Sequence, residues 1–297
     1  MKGTVVCLHG FPDNFHTFEG LGRTLSTAGY KVITPPLRGY KPNDLIDGDL
    51  ERVADDIFRV INDQTPQGSR VHIIGHDWGS KVASICAIRH PECFRSLTMI
   101  AIPHNLDGGI RIYPQQLLNS WYCMFFQLPV LPELWLLRLG GLEYLYRKWS
   151  PHFNSPETLA SVRRTLTEPG VISSALGYYR HEVGRNSLLL RLIIPMLYPL
   201  MVCFVFSFAL VRGLLGVGGR EGKADVVDPP IQVPVLAISG IEDGCCCSGL
   251  FDACMKERPE LFPKGLRVER LAHAGHWVHL ERPTEVANMI LQHVEAA

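Results

Sequence analysis

Apolar and polar positions change rhythm twice along the chain. From residue 1 to about 100, short β-rich apolar runs at Thr4 to Leu8, Lys31 to Thr34, Val71 to Ile74 and Leu97 to Ile100 alternate with helical patterns. That order predicts a parallel sheet wound by crossover helices. Leu50, Val53, Ala54, Ile57, Phe58 and Ile61 recur at helical spacing with acidic residues opposite, which predicts an amphipathic helix. Trp78 to His90 is apolar nearly all round, through Val82, Ile85, Cys86 and Ile88, so a sandwiched helix ending before Pro91 is predicted. From about Leu106 to Asp228 aromatics, irregular prolines and helical stretches such as Pro132 to Leu139 and Pro156 to Leu166 replace the strands. Strand patterning resumes at Val235 to Ser239 and Leu266 to Leu271, and an amphipathic helix carrying Val286, Ala287, Ile290, Leu291 and Val294 behind Pro283 closes the chain. The predicted organisation is an α/β core in two parts, 1–106 and 228–297, interrupted by a helical cap over 107–227. The pattern shows no internal repeat and no low-complexity tract.

Length and charge narrow the choice of partner. A chain of 297 residues suits one large α/β domain with an inserted lobe, or two modest domains. Lys plus Arg and Asp plus Glu are 29 each, and no basic stripe stands out, which excludes a phosphate-neutralising surface and argues against nucleic acid. With 46% hydrophobic and 20% charged residues the chain is not disordered, and its low charge points to apolar surface that needs a partner. The nine cysteines include three in a row, Cys245, Cys246 and Cys247, and none stand in a C-x-x-C pair. Neither a zinc ribbon nor a redox dithiol is supported, and reduced thiols in a cytoplasmic compartment are expected. The N-terminus runs directly into the Val5 to Leu8 strand, so no signal peptide is expected.

The chemistry concentrates at three strand ends. Gly75-His76-Asp77-Trp78-Gly79 follows a buried strand and opens a helix. Two glycines flanking a central residue there describe a nucleophile elbow, where only small neighbours clear the backbone. The central residue is Asp77, already ionised at neutral pH, so it needs no base to act as a nucleophile but does need an activated leaving atom. The plainer alternative is an aspartate capping its helix. Upstream, His9-Gly10-Phe11-Pro12 ends the first strand, and in this architecture that loop gives one oxyanion N–H while Trp78, after the nucleophile, gives another. Downstream, Ser239-Gly240-Ile241-Glu242-Asp243 and Ala274-Gly275-His276-Trp277 follow two later strands. The order Asp77, Asp243, His276 is that of nucleophile, acid and base, with Glu242 and Asp107 as alternative acids and His273 and His279 as neighbouring imidazoles.

These motifs resemble the epoxide hydrolase group of the α/β-hydrolases in order, type and spacing. Two segments of the insertion are similar to it as well. Trp121 to Gln127 resembles the lid stretch that carries one tyrosine, and Gly177 to Arg180 the stretch that carries the other. Tyr122 and Tyr179 fit those positions, with Tyr178 as competitor to the second. The resemblance implies that both phenols grip an epoxide oxygen and protonate the departing alkoxide. It implies that Asp77 opens the ring to give a hydroxyalkyl ester. Water activated by His276, oriented by Asp243, then hydrolyses that ester through an oxyanion held by the amides of Phe11 and Trp78. Substrate contacts are implied for His9, Pro12, Trp78 and Trp277. The expected product is a vicinal diol from a lipophilic epoxide, with no metal or organic cofactor required. The nearest alternative is haloalkane dehalogenation on the same aspartate; a further one is a non-catalytic, membrane-associated binding protein of the same fold.

Two features depart from the family pattern. The two strands that usually precede the H-G-F-P strand are missing, which leaves a sheet edge to be covered and raises the question of whether Met1 is the natural start. Leu192 to Val211 is 20 residues without a charge, and the apolar character continues to Val217. That is long enough to cross a bilayer, but a crossing there would separate Asp77 from Asp243 and His276. The expectation is instead an apolar stretch over Leu192 to Val217 that makes peripheral membrane contact, or one buried against the core as the wall of a lipophilic tunnel.

Overall fold

The computed structural model describes residues 1–44, 48–104, 115–184, 192–193, 195–200, 202–203 and 229–297. The first half of the core is β1 (Gly3–Leu8), α1 (Glu19–Thr27), β2 (Tyr30–Ile33), α2 (Leu50–Gln64), β3 (Val71–His76), α3 (Trp78–Arg89) and β4 (Phe94–Ile100). The predicted sheet is present. Six strands lie in the order β2-β1-β3-β4-β5-β6, where β5 is Val235–Gly240 and β6 is Leu266–Leu271, and every neighbouring pair is parallel. Every residue of β3 and of β5 is buried, so these two strands read as unbroken apolar runs rather than as alternation.

Helices cover both faces, as a parallel sheet requires. The apolar side of α2 (Leu50, Val53, Ala54, Ile57, Ile61) and most of α3 pack with the cap on one face. On the other, α1 contributes Leu21 and Leu25, and the C-terminal helix (Pro283–Ala296) contributes Val286, Ala287, Ile290 and Val294. The α1 helix escapes the apolar pattern because only those two of its nine residues are buried.

Between β4 and β5 no strand occurs among the described residues. There lie α4 (Gln115–Asn119), α5 (Trp121–Phe125), α6 (Leu131–Arg138), α7 (Gly141–Trp149), α8 (Pro156–Thr167) and α9 (Val171–Gly184), with aromatic contacts joining α5, α6, α7 and α9. The α8 helix starts where the sequence places it: Ser155 accepts from the Thr158 N–H at 3.2 Å, and Pro156 takes the first turn. Positions 107 and 227, the expected ends of the cap, lie outside the described residues, as does Asp107. Much of the Leu192 to Val217 stretch does too. Its described residues 192–193, 195–200 and 202–203 are helical, with Leu192, Ile193, Met196, Leu197 and Leu200 exposed. Among the described residues no helix is long and apolar enough to cross a membrane.

Chain direction over the sheet reverses at β1. The chain leaves β1 for β2 on one side and returns to β3 on the other, which opens a crevice at the carboxyl ends of β1 and β3. Leu8 is in register with Gly75, so the turns after these strands meet. Backbone contact there leaves no room for a side chain. A Cβ on Gly79 would stand 2.1 Å from the Leu8 carbonyl oxygen and 2.4 Å from that of His9. Gly79→Ala should therefore lower unfolding free energy by about 3 kcal/mol or more, as an unfilled clash with rigid backbone does. Chemical denaturation checks this; an unchanged midpoint would contradict it.

Candidate active site

Asp77 is placed by the tight turn between β3 and α3. Its backbone takes φ 54° and ψ −121°, outside the regions an aspartate prefers, and its side chain makes no capping bond to α3. The carboxylate turns instead to the crevice. Asp77 Oδ1 accepts the Phe11 N–H at 2.7 Å, so the amide expected to hold an oxyanion already holds this oxygen. Oδ2 stands 3.6 Å from His276 Nε2.

The loops after β5 and β6 bring the other two members together. Gly240 and Leu271 are in register, and from there the chain reaches Asp243 and His276. His276 Nδ1–H donates to Asp243 Oδ2 at 3.0 Å; a carboxylate only accepts, so the proton sits on Nδ1 and Nε2 is left toward Asp77. Asp243 Oδ1 accepts the N–H groups of Cys245 and Cys246 at 2.7 and 3.0 Å. Burial disfavours a charged His276, yet the acidic groups around it, Cys245, Asp243 and Asp77, hold its pKa well above the usual 6.5. The alternative partners are elsewhere. Glu242 points to the surface, paired with His152, and Asp243 alone of the two carboxylates meets the ring. His273 is exposed, and His279 Nε2 is bonded to the Thr17 hydroxyl at 2.7 Å.

Two cap helices bring phenols to the same place. Tyr122 on α5 and Tyr179 on α9 line a cavity of about 150 Å³ together with Asp77, Trp78, Cys123 and Cys245. Tyr178 does not compete with Tyr179, because its hydroxyl donates to the Arg38 carbonyl at 2.7 Å. The Tyr179 hydroxyl and the Trp78 indole N–H are both buried and lie beside each other in the cavity wall. The Tyr122 hydroxyl lies 3.1 Å from Cys245 Sγ. Burial raises both phenols well above 10, with Cys123 and Cys245 adding at Tyr122 and Asp77 at Tyr179, so both stay protonated at neutral pH. Gln127 fixes the two helices to each other, its amide donating to the carbonyls of Cys123 and Tyr179 at 2.8 and 3.0 Å.

His9, Pro12 and Trp277 do not reach this cavity. His9 Nε2 accepts the Leu37 N–H at 3.1 Å, the Pro12 carbonyl accepts from Tyr146, and the Trp277 indole donates to Asp13 at 3.0 Å. They pack the turns from below. Residues that the motifs did not announce stand closer. Gln116 ties the cap to the acid loop, donating to the Cys245 carbonyl and accepting the Cys247 N–H, both at 2.8 Å. Cys245 lines the cavity itself, and its position two residues past Asp243 was the available signal.

Comparison with known proteins points to the same fold. The family model for the alpha/beta hydrolase fold matches residues 3–130. The chain is 28% identical over 302 residues to AB hydrolase superfamily protein YfhM of Bacillus subtilis, covering 98% of this chain and 90% of that protein. It is 27% identical to Epoxide hydrolase 3 of Xenopus tropicalis, covering 96% of this chain and 70% of that protein. The chain has the α/β-hydrolase fold, and relatives named epoxide hydrolases match it along most of its length. Among solved structures, a mutant epoxide hydrolase from Bacillus megaterium, complexed with its product, a naphthyloxy-propane-diol, superposes with a TM-score of 0.73 at 22% identity. That match covers 99% of this chain and 93% of the other.

Three buried imidazoles near the candidate site, His9, His76 and His279, stay neutral. Burial lowers His9 to about 4 and His279 to about 3, and lowers His76 well below 6.5. Below pH 6.5 the unfolded chain binds protons that these folded rings refuse, so stability is lost as pH falls through that window. Asp13, raised by burial to about 6, works in the opposite sense and offsets one of the three. Between pH 6.5 and 4 unfolding free energy should fall by about 1.4 kcal/mol or more per pH unit. Thermal melts across that range check it; a constant melting temperature would contradict it.

Proposed function

We propose that the protein hydrolyses a lipophilic epoxide to a vicinal diol through a covalent ester on Asp77. The observation that carries this reading is one cavity with the Asp77 carboxylate on its core side and two protonated phenols, Tyr122 and Tyr179, on its cap side. A carboxylate is a weak nucleophile toward carbon unless the leaving oxygen is protonated as it departs. Phenols that hold their protons at neutral pH supply that proton.

The first step breaks an epoxide C–O bond as Asp77 Oδ2 bonds to carbon, while a tyrosine proton moves to the departing oxygen. The ester carbonyl oxygen is then Oδ1, already on the Phe11 amide, where negative charge develops in the second step. Esterification also removes the negative charge of Asp77. That loss lowers the pKa of His276, whose imidazolium the charge favours; its Nε2 proton passes to the phenolate left by the first step, and Nε2 can then take a proton from water and hand it to the oxygen that leaves Asp77. Asp243 keeps the ring oriented through Nδ1. Hydrolysis of the ester releases the diol and restores the carboxylate.

A second reading has one observation in its favour. The Trp78 indole stands in the cavity wall, where its N–H would receive a halide leaving from the same carbon position, as dehalogenation requires. The phenols separate the two. Tyr179→Phe should reduce kcat/KM for an epoxide about 100-fold, the usual worth of a positioned acid, and Tyr122→Phe should act in the same direction. An effect absent from both variants, with halide released from haloalkanes, would favour dehalogenation. His276→Gln should leave the first step working and block the second. Intact-mass measurement after incubation with a terminal epoxide should show one adduct per chain on Asp77; no adduct in that variant would contradict the ester.

A further inference from the structure

The ester route gives Cys245 no task, although its side chain is buried in the cavity wall. Its thiol sulfur, an Asp77 oxygen and a His276 nitrogen lie within 4.8 Å of one another, and all three residues are buried. His276 Nε2 faces the Asp77 carboxylate at 3.6 Å and the Cys245 thiol. Asp77 Oδ1 is occupied by the Phe11 amide, so the carboxylate offers Oδ2 as a single ligand. We propose that Asp77, Cys245 and His276 form a site for a borderline-soft divalent cation, Zn²⁺ above all, whose binding switches the enzyme off.

The donor set selects the ion. Thiolate, imidazole and carboxylate together suit Zn²⁺, whereas Mg²⁺ and Ca²⁺ take oxygen ligands. With bonds of about 2.0 to 2.3 Å, tetrahedral ligands stand roughly 3.4 Å apart. The 3.6 Å between His276 Nε2 and Asp77 Oδ2 already meets this. Cys245 has one side-chain torsion with which to draw its sulfur in. Asp243, accepting from Nδ1–H, supplies the carboxylate that orients a metal-bound imidazole through its other nitrogen. Charge closes as well, since one carboxylate and one thiolate neutralise a divalent ion out of water. Burial pushes the Cys245 thiol up to about 11 against the pull of His276, so its proton is displaced to solvent when the metal binds, and His276 binds as the neutral ring. The fourth position faces the cavity and takes water. An ion held there occupies nucleophile and base at once, so it excludes the epoxide.

His152, Glu242 and His273 form a second cluster, but it is at the surface and brings only nitrogen and oxygen. Sulfur therefore distinguishes the two. Titration of the purified full chain with Co²⁺ should produce a sulfur-to-cobalt charge-transfer band that saturates at one ion per chain. The band should vanish in C245S and C245A, and persist in Cys123→Ser and in Glu242→Gln. In epoxide turnover, zinc-buffered solutions should inhibit the wild type, a chelator should restore it, and C245S should need at least about tenfold more free Zn²⁺ to lose half of its own rate. No sulfur band in the wild type, a band that survives both Cys245 substitutions, or unchanged zinc sensitivity in C245S would overturn the proposal. Because the cobalt band is read without turnover, a band that follows Cys245 in a protein that opens no epoxide would uphold the metal site and defeat the epoxide reading.

Discussion

The Asp77 carboxylate is the charge around which the protein is arranged. An isolated carboxylate taken out of water costs several kcal/mol, so every element near it has to answer for that charge. The Phe11 amide holds one oxygen, the N-terminus of α3 lies against it, and the His276 ring faces the other oxygen. The first two depend on the reversal of the chain at β1, which brings the turns after β1 and β3 into contact, and the ring arrives on the loop after β6. The close approach of Gly79 to the Leu8 carbonyl is the cost of that contact in side-chain volume, and Gly75 meets the Gly79 carbonyl just as closely within the elbow. With Cβ atoms there, the elbow would open and the carboxylate would lose its amide.

In the proposed reaction the core provides the nucleophile and the base, and the helices between β4 and β5 provide the phenols that protonate the leaving oxygen. This division explains why so much of the cap's polar bonding runs between its own helices and down to the acid loop. Gln127 ties α5 to α9, Arg180 on α9 donates to the carbonyls of Phe126 and Leu128, and Gln116 holds the Cys245–Cys247 turn. The same turn wraps its amides around Asp243. A thiol is thereby carried to the edge of the site by the segment that orients the acid, which is how one short loop serves both the hydrolytic set and the proposed metal site.

The core was legible because burial on both faces writes parallel strands as continuous apolar runs, and because the elbow needs glycine at fixed places. Asp77, Asp243 and His276 follow strand ends, so their convergence could be anticipated from chain order. The cap was less legible. The α5 helix has five residues, too few for a periodic signal, and its fixed points are aromatic contacts with distant helices. The choice between Tyr178 and Tyr179 turns on a bond to the Arg38 carbonyl that no local pattern encodes. His9, Pro12 and Trp277 sit in the right motifs, yet their polar atoms are consumed by Leu37, Tyr146 and Asp13. Cys245, within a run of three cysteines, reads as an ordinary reduced thiol until the turn around Asp243 places it beside Tyr122 and His276.

The most direct measurement follows the oxygen atoms of Asp77 themselves. Enzyme in excess over an epoxide, reacted once in heavy-oxygen water and then digested for peptide mass spectrometry, should carry the label in the Asp77 carboxylate, and the diol should hold none from solvent. Label in the diol with an unlabelled Asp77 would mean that water attacks the substrate directly, and the covalent role of this carboxylate would be contradicted.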